Sequence, residues 1–435
     1  MATAASTEGT TTVRSGVDPS PHQTGTTTVR SGVDPSPHQT GTAGYRRLTG
    51  ALFAAGLATF AALYGTQAVL PALSADLGVS PASAALTVSV TTGMLALSII
   101  PASALSERFG RTRVMLVSAI ATTIIGLLLP ASPTFAVLLI GRAAEGAALA
   151  GIPAVAMAFL AEEVHPGSLG SAMGRYIAGT TVGGLAGRLV ASSVLDVSNW
   201  RIALLGSGAM TLVCTVLFAA LLPKSQFFVP KKVRVGTTLW ILGVHLRNPV
   251  LLIMFGLAFL LMGGFVTVYN YLGYRLVAPP FGLPTAIAGL LFLLYLAGTM
   301  SSAVAGRLAD RRGRGSVLIA AIVITAAGLA LTIPNSLLTV IVGVGVFTAG
   351  FFAAHTVASG WVGAVAQRDR AEASALYLFS YYLGSSVAGA VGGLAYQAGG
   401  WGLTVLFVGA LLAIALVLAA LMVLRNRFGH INAPE

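Results

Sequence analysis

The stretch Ser103-Ala-Leu-Ser-Glu-Arg-Phe-Gly-Arg-Thr-Arg113 separates two apolar segments that are each long enough to cross a lipid bilayer. The second half of the chain holds a similar stretch, Gly306-Arg-Leu-Ala-Asp-Arg-Arg-Gly-Arg314, again between two apolar segments. Acid, base, glycine and base occur at the same mutual spacing in both stretches. This repetition predicts a chain built from two related halves.

The composition predicts a membrane protein. Apolar residues make up 56% of the sequence and charged residues 9%, whereas about a quarter of a soluble domain is charged. A membrane-spanning helix needs about 20 apolar residues. We find runs near this length at residues 48–72, 82–104, 114–130, 135–161, 172–194, 202–222, 251–271, 285–306, 317–333, 337–362, 373–396 and 403–424. They predict an all-α integral membrane fold with two six-helix bundles, residues 48–222 and 251–424.

The basic residues predict the orientation of these bundles. Nearly all lysines and arginines fall in alternate connections between the runs, and the other connections carry only Arg201 and Arg275. Because short loops rich in Lys and Arg stay in the cytoplasm, both termini and the basic linker 223–250 are predicted to be cytoplasmic. Within the linker, residues 237–247 are short and mixed in polarity, which predicts a helix lying on the membrane surface. The charge of +12 therefore indicates membrane edges, and no nucleic-acid partner is expected.

The N-terminal tail, residues 1–47, contains a tandem repeat: residues 9–24 recur unchanged as 25–40. Its polar composition predicts disorder, and we expect residues 1–42 to be dispensable for function. The short C-terminal tail, residues 425–435, is predicted to lie in the cytoplasm as well.

The pattern Gly-x-x-x-Asp-Arg-x-Gly-Arg between the second and third helices of each half resembles that of the major facilitator superfamily of secondary transporters. Residues 306–314 match it, whereas the first copy has Ser103 and Glu107 at the glycine and aspartate positions. The stretch that begins Asn270-Tyr-Leu-Gly-Tyr-Arg275 resembles bacterial efflux-type permeases of the acriflavine-sensitivity type. This resemblance implies antiport of a small organic compound against protons at the bacterial inner (plasma) membrane. It implies a monomer without cofactors.

The two charged loops are candidate cytoplasmic gates. Their residues are Glu107, Arg108, Gly110 and Arg111 in the first half, and Gly306, Asp310, Arg311, Gly313 and Arg314 in the second. Each acid is expected to order the arginines of its own loop and to approach the start of a helix in the opposite half, near Arg175 or Arg370. The sequence thus predicts a latch between the halves.

Arg142 and Glu145 in the fourth run are candidates for proton coupling. Charges inside a bilayer cost about 3 kcal/mol on insertion scales and so indicate a partner or a polar cavity. The two residues lie on one helical face, and Arg142-x-x-Glu145-Gly resembles the fourth-helix motif of the superfamily, whose arginine is associated with proton transfer. Burial disfavours the charged carboxylate and Arg142 favours it. The alternative is an ion pair that joins helices without titrating.

Polar residues within the runs are candidates for a central substrate pocket, because transporters built from parallel repeats bind substrate between their halves. They are Tyr64, Gln67, Arg188, Tyr269, Asn270, His355, Tyr381 and Tyr382. For the tyrosines, packing or an interfacial position is an equal alternative, and His355 fits a hydrogen-bonded core position. Glycines of the fifth and eleventh runs fit close helix packing, the fifth-run set also resembling an exporter motif. These glycines are Gly179, Gly183, Gly187, Gly384 and Gly389.

Signatures of other functions are missing from the sequence. We find no zinc-protease, nucleophile-elbow or phosphate-loop motif, and no group of metal ligands, so neither an enzyme nor a metal protein is expected. The leading prediction is proton-coupled export. The alternatives are proton-coupled uptake or facilitated diffusion of a polar or anionic solute, and a membrane sensor or scaffold that has lost transport.

Overall fold

A computed structural model describes residues 37–228 and 235–431, and the side chains of all of these except 235 and 425–431. The predicted disorder of residues 1–36 and the end of the C-terminal tail, residues 432–435, lie outside the described residues. Nearly every described residue is helical, and the predicted all-α membrane fold is confirmed.

In the described part of the chain, ten helices are long and apolar enough to cross a membrane. A further long helix, and a kink that divides the last of the ten, give the twelve predicted spans. Spans 1–4 are Ala43–Leu77, Pro81–Phe109, Arg111–Ala131 and Phe135–Glu163; span 6 is Trp200–Leu221; spans 7–10 are Pro249–Val277, Thr285–Arg312, Arg314–Leu331 and Leu337–Val365. Span 5, Pro166–Asp196, is 31 residues long. Spans 11 and 12 form the segment Arg370–Ile431 and meet at Gly399 and Gly400, whose backbone leaves the helical region.

Glycines explain the sharp turns inside the two charged loops. Gly110, between spans 2 and 3, has φ +100°, and Gly313, between spans 8 and 9, has φ +87°. Residues with a side chain are strained at such angles. We call the side of the molecule that carries these two turns the basic face, and the side that carries Gly78 and Gly282 the opposite face.

Span 1 is interrupted, and the interruption shapes the interior. The α-helix Ala43–Tyr64 gives way to a 3₁₀ segment, Gly65–Val69, before the helix Leu70–Leu77. Pro71 contributes to this break because it lacks a backbone N–H. A 3₁₀ segment bonds three residues back instead of four, so carbonyls next to the change lose their helical partners. The side chains of residues 64–67 therefore lie inside the protein, beside backbone carbonyls that have lost their helical hydrogen-bond partners.

Hydrogen bonds between the halves lie toward the opposite face. The Tyr274 hydroxyl of span 7 donates to the Leu70 carbonyl of span 1 at 2.8 Å and shares a 2.6 Å hydrogen bond with Ser74 Oγ. The Ala286 N–H of span 8 donates to Asp196 Oδ1 of span 5 at 3.4 Å. Among the described residues, no hydrogen bond between the two bundles lies at the basic face. The structure is therefore closed on the opposite face.

The two arginines of the opposite face stabilise equivalent loops in the two halves. Arg201 donates to the carbonyls of Pro130 and Ser132, both at 2.9 Å. Arg275 donates to the Thr332 carbonyl and to the next two carbonyls. Each arginine thus satisfies carbonyls in the turn that follows the third span of a half, which accounts for a basic residue on the face that otherwise lacks them.

The end of the N-terminal tail is ordered, which corrects the predicted disorder of residues 37–47. His38 lies beside Val164 as a short parallel bridge: its N–H donates to the Glu163 carbonyl at 2.9 Å, and its carbonyl accepts from His165 N at 3.0 Å. Thr40 bonds Ser168 Oγ through both its N–H and its hydroxyl. The sequence suggested too few apolar residues for docking, but the docking is done by backbone hydrogen bonds.

The linker contains the predicted short helix, over Val235–Leu246. Before it, the chain is attached to the first half by Glu163, a fully buried carboxylate at the end of span 4. Glu163 Oε1 accepts from Ser225 Oγ and from the N–H groups of Gln226 and Phe227. The acid end of span 4 therefore orders both the tail and the linker, a role that the sequence did not suggest.

Candidate functional site

Five of the predicted pocket residues meet between the halves. Arg188 of span 5 donates from Nε to Gln67 Oε1 at 2.8 Å, and Gln67 Nε2 donates to Asn270 Oδ1 of span 7 at 2.6 Å. The guanidinium of Arg188 lies 4.4 Å from the centre of the Tyr64 ring. Tyr269, the residue before Asn270 in span 7, shares a 2.8 Å hydrogen bond with the Thr348 hydroxyl through its own hydroxyl. All five side chains are buried.

Two aromatic residues of span 8 complete this cluster and were missed in the sequence. The Tyr295 hydroxyl accepts from Arg188 at 3.1 Å, and its ring lies 4.7 Å from the guanidinium. The Phe292 ring lies 5.0 Å from the same group on another side. Both residues sit in an apolar run, where an aromatic residue signals packing as readily as binding. We name Tyr64, Gln67, Arg188, Tyr269, Asn270, Phe292 and Tyr295 the central cluster.

The remaining candidates form a separate group in the second half. His355 Nδ1 lies 3.0 Å from the Tyr377 hydroxyl, and the His355 and Tyr381 rings are 4.7 Å apart. Tyr382 packs edge-on against Tyr381. Rings in contact run from His355 through Phe351, 6.0 Å away, to Phe265 of span 7 and on to Tyr295, which meets Phe265 edge-on. The predicted pocket residues thus lie along one row of aromatic rings.

Arg142 and Glu145 are paired, as their spacing predicts, and both are 1% exposed. Arg142 also donates to the span 1 carbonyls of Ala62 and Leu63, at 3.1 and 2.9 Å, and to the Thr87 carbonyl of span 2 at 3.0 Å. The first two carbonyls precede the 3₁₀ segment. Arg142 therefore connects the acid of span 4 to the interrupted part of span 1.

Glu145 faces a small cavity inside the first bundle, away from the boundary between the halves. The cavity has a volume of about 20 Å³, and its mixed lining includes the hydroxyl side chains of Thr66 and Ser207. The Thr66 hydroxyl is buried and has no hydrogen-bond partner. A cavity of at least about 10–15 Å³ accommodates one water molecule, so there is room for a water molecule beside Glu145.

The charged loops do not form the predicted latch in this conformation. Arg111 bonds Glu162 at 2.9 Å and lies 3.9 Å from Glu107, so the first loop is ordered within its own half. In the second loop, Asp310 is exposed and makes no ion pair with any described residue. Arg175 and Arg370, the expected partners, bond Thr49 Oγ1 and the Ala366 carbonyl of their own halves. The latch stays a prediction for a conformation closed at the basic face.

A family model described as Major Facilitator Superfamily matches residues 52–298 and 272–435. The chain belongs to this superfamily. It is 42% identical over 357 residues to the uncharacterized MFS-type transporter YybF of Bacillus subtilis, covering 82% of this chain and 88% of the relative. It is 43% identical over 378 residues to the inner membrane transport protein YnfM of Escherichia coli, covering 87% and 90%. This superfamily member is accordingly a multi-pass secondary transporter.

A solved structure supports the same fold. A bacterial homologue of the human lysosomal transporter Spinster, in an inward-facing and occupied conformation, matches with a TM-score of 0.68. The match covers 89% of this chain and 98% of the homologue at 17% sequence identity. At that identity the likeness concerns the superfamily fold and not the substrate.

The glycines of this superfamily member bring spans into direct backbone contact. A Cβ added at Gly179, Gly183 or Gly187 would lie 2.4 to 2.6 Å from the backbone of span 1, at Phe53, Leu57 and Ala61 respectively. A Cβ at Gly384 would lie 2.1 Å from the Phe259 carbonyl of span 7. Gly389 is different, because its nearest neighbour is Ser89 of the other half. Close packing between spans of the same half therefore accounts for four of the five predicted glycines.

Proposed function

We propose that this chain is a proton-coupled transporter that exports a small organic compound across the bacterial inner membrane by alternating access, with its basic face in the cytoplasm. The observation that supports coupling most directly is the contact of Arg142 with both Glu145 and span 1. The substrate at the central cluster and the proton at Glu145 then both act on the interrupted span 1. No further cofactor is required.

The coupling follows a chain of contacts. Glu145 holds the guanidinium of Arg142, and Arg142 holds the carbonyls of Ala62 and Leu63. The next residue, Tyr64, and Gln67 three positions on both contact Arg188. Protonation of Glu145 removes its charge and weakens its bond to Arg142, because hydrogen bonds between charged groups are about twice as strong as neutral ones. Span 1 then shifts, and the central cluster changes shape.

Alternating access needs the halves to part on one face while they close on the other. The central cluster and the contacts of Tyr274 join the halves at and above the midplane, and parting them opens a path from the cluster to the opposite face. The direction of net transport rests on the resemblance to efflux-type permeases. Uptake of an anionic solute uses the same site in reverse, and the charge of Arg188 favours that substrate class.

The test uses everted membrane vesicles acidified inside, with a pH-sensitive dye sealed within and organic compounds of each charge class added outside. We expect a substrate to discharge the proton gradient in the wild type and not in Glu145→Gln, which keeps the shape of the side chain. The matched control is Glu372→Gln, because Glu372 makes no ion pair among the described residues.

Exchange of labelled for unlabelled substrate, without a gradient, separates coupling from binding. Glu145→Gln should retain that exchange if the acid serves only the proton. A Glu145→Gln protein that still discharges the gradient as fast as the wild type contradicts the proposal. Glu145 is then a structural partner of Arg142, and His355 is the next residue to test.

A further inference from the structure

The central cluster holds a buried positive charge that has no acid. Arg188 is 1% exposed, and none of the described carboxylates lies within ion-pair distance of it. The other arginine at this depth, Arg142, has Glu145 as its partner. Of these two arginines in one bundle, Arg142 is paired with an acid and Arg188 is not, although charges inside a membrane normally pair.

Neutral groups hold Arg188 in place without satisfying it. Its three hydrogen bonds go to Gln67 Oε1, the Gly184 carbonyl and the Tyr295 hydroxyl. A guanidinium has five N–H donors, so donors remain free. The rings of Tyr64, Phe292 and Tyr295 lie 4.4 to 5.0 Å from the guanidinium, close enough for cation–π attraction. The three rings therefore surround a positive charge that no acid balances.

The amide groups next to Arg188 also leave a donor free. Arginine only donates hydrogen bonds, so Gln67 must present its oxygen to Arg188 and its amide nitrogen to Asn270. Asn270 must then present its oxygen to Gln67, and its own amide nitrogen, Nδ2, is buried with no partner. The cluster therefore has an excess of donors, one full positive charge and aromatic walls.

We infer that the transported compound is an organic anion, with a carboxylate that binds Arg188 and Asn270 Nδ2 and an apolar or aromatic body that packs against Tyr64, Phe292 and Tyr295. A carboxylate has only acceptors and matches the planar fork of arginine. A cationic compound would meet an uncompensated positive charge. This inference rests on the proposed function, from which the transport of the bound compound is taken. It names the substrate class of the same site.

The closed conformation explains why the cluster holds no room for such a compound now. The cavity beside it, between the halves, has a volume of about 30 Å³ and is lined by residues that include Gln67, Ser192, Tyr269 and Phe292. At about 10–15 Å³ for each water molecule, this is room for about two water molecules and not for an organic compound. The compound enters only when spans 1 and 5 move away from spans 7 and 8.

Thermal unfolding of the purified protein in detergent tests the inference with matched probes: benzoate, benzamide and benzylamine, followed by larger aromatic carboxylates and their amides. We expect carboxylates to raise the melting temperature, and their amides and the amine not to. Arg188→Gln should weaken carboxylate binding by more than about tenfold, since hydrogen bonds to charged groups contribute about 1.5–3 kcal/mol. The control is Arg307→Gln, because Arg307 is exposed and bonds only the Ala303 carbonyl.

A second variant covers the case in which Arg188→Gln fails to fold. Asn270→Asp keeps the acceptor toward Gln67 and supplies the missing acid, so it should fold at least as well as the wild type and lose the response to carboxylates. Stabilisation by amides equal to that by carboxylates, no stabilisation by any carboxylate, or an unchanged response in Asn270→Asp overturns the inference. Because the assay has no proton gradient, these results are independent of the Glu145 experiment.

Discussion

At the scale of single residues, the decisive difference is between Arg142 and Arg188, because one has an acid and the other has none. The sequence identified both arginines as unusual from their depth alone. It could not show that Arg142 also holds the carbonyls of Ala62 and Leu63, since that depends on where span 1 is interrupted. The structural role of Arg142 and its proposed coupling role therefore coexist in the same contacts.

Removing Arg142 alone should destabilise the protein. In Arg142→Gln the Glu145 carboxylate and the span 1 carbonyls lose their donor, and breaking a buried ion pair costs about 3–5 kcal/mol. The double variant Arg142→Gln/Glu145→Gln removes both charges and should recover much of that loss. Thermal unfolding in detergent measures both variants. If the single variant is as stable as the double variant, Glu145 is not held as a buried charge.

The glycines of span 5 provide a second prediction at this scale. Gly183→Ala places a Cβ about 2.4 Å from the Leu57 carbonyl, and such overpacking costs about 1–3 kcal/mol. Gly174→Ala is the matched control in the same helix, because its Cβ would meet nothing within 4 Å and alanine favours a helix by about 1 kcal/mol. Melting temperatures should fall for Gly183→Ala and stay level or rise for Gly174→Ala. Equal changes would show that spans 1 and 5 separate easily.

At the scale of elements, the length of the apolar runs predicted the spans, because each span needs about 20 apolar residues. The mixed polarity of residues 237–247 predicted the linker helix. Contacts made by backbone or by unremarkable side chains were not predictable. The docking of His38, the anchoring of the linker by Glu163 and the contribution of Tyr295 leave no pattern along the chain. Five of the seven residues of the central cluster were identified because polar groups are rare within spans, so their scarcity is a usable signal.

The tandem repeat allows the docked tail to be tested. The residues that dock, Pro37 to Thr42, have the same sequence as residues 21–26. Deleting residues 25–40 joins the first copy to Gly41 and restores the docking sequence, so stability should be unchanged. Deleting residues 1–42 removes the bonds of His38 and Thr40 and the Thr42 cap of span 1, and loss of a cap alone costs about 1 kcal/mol. A truncated protein that melts at the wild-type temperature would show that these contacts do not stabilise the fold. That residues 1–42 are dispensable for transport stays a prediction.

At the scale of the whole molecule, the two halves repeat their architecture but not their chemistry. Both turn at a glycine of positive φ on the basic face, and both secure a loop of the opposite face with one arginine. Only the first half contains the buried ion pair and Arg188, whereas the second half provides most of the aromatic rings. The site between the halves therefore needs residues of both halves, and closure of the opposite face depends on contacts between the two halves.

Closure of the opposite face should depend on Tyr274. Its hydroxyl bonds Leu70 and Ser74 of the other half, and each bond contributes about 1 kcal/mol, so Tyr274→Phe should open that face more often. The matched control is Tyr271→Phe in the same span, because the Tyr271 hydroxyl bonds the Gly389 carbonyl within its own half.

The reporter is Ser192→Cys, buried in the cavity between the halves, in a Cys214→Ala background that removes the native cysteine. Intact cells are treated with a membrane-impermeant maleimide. Labelling should be severalfold faster with Tyr274→Phe than with Tyr271→Phe, and equal rates would show that other contacts hold the halves together.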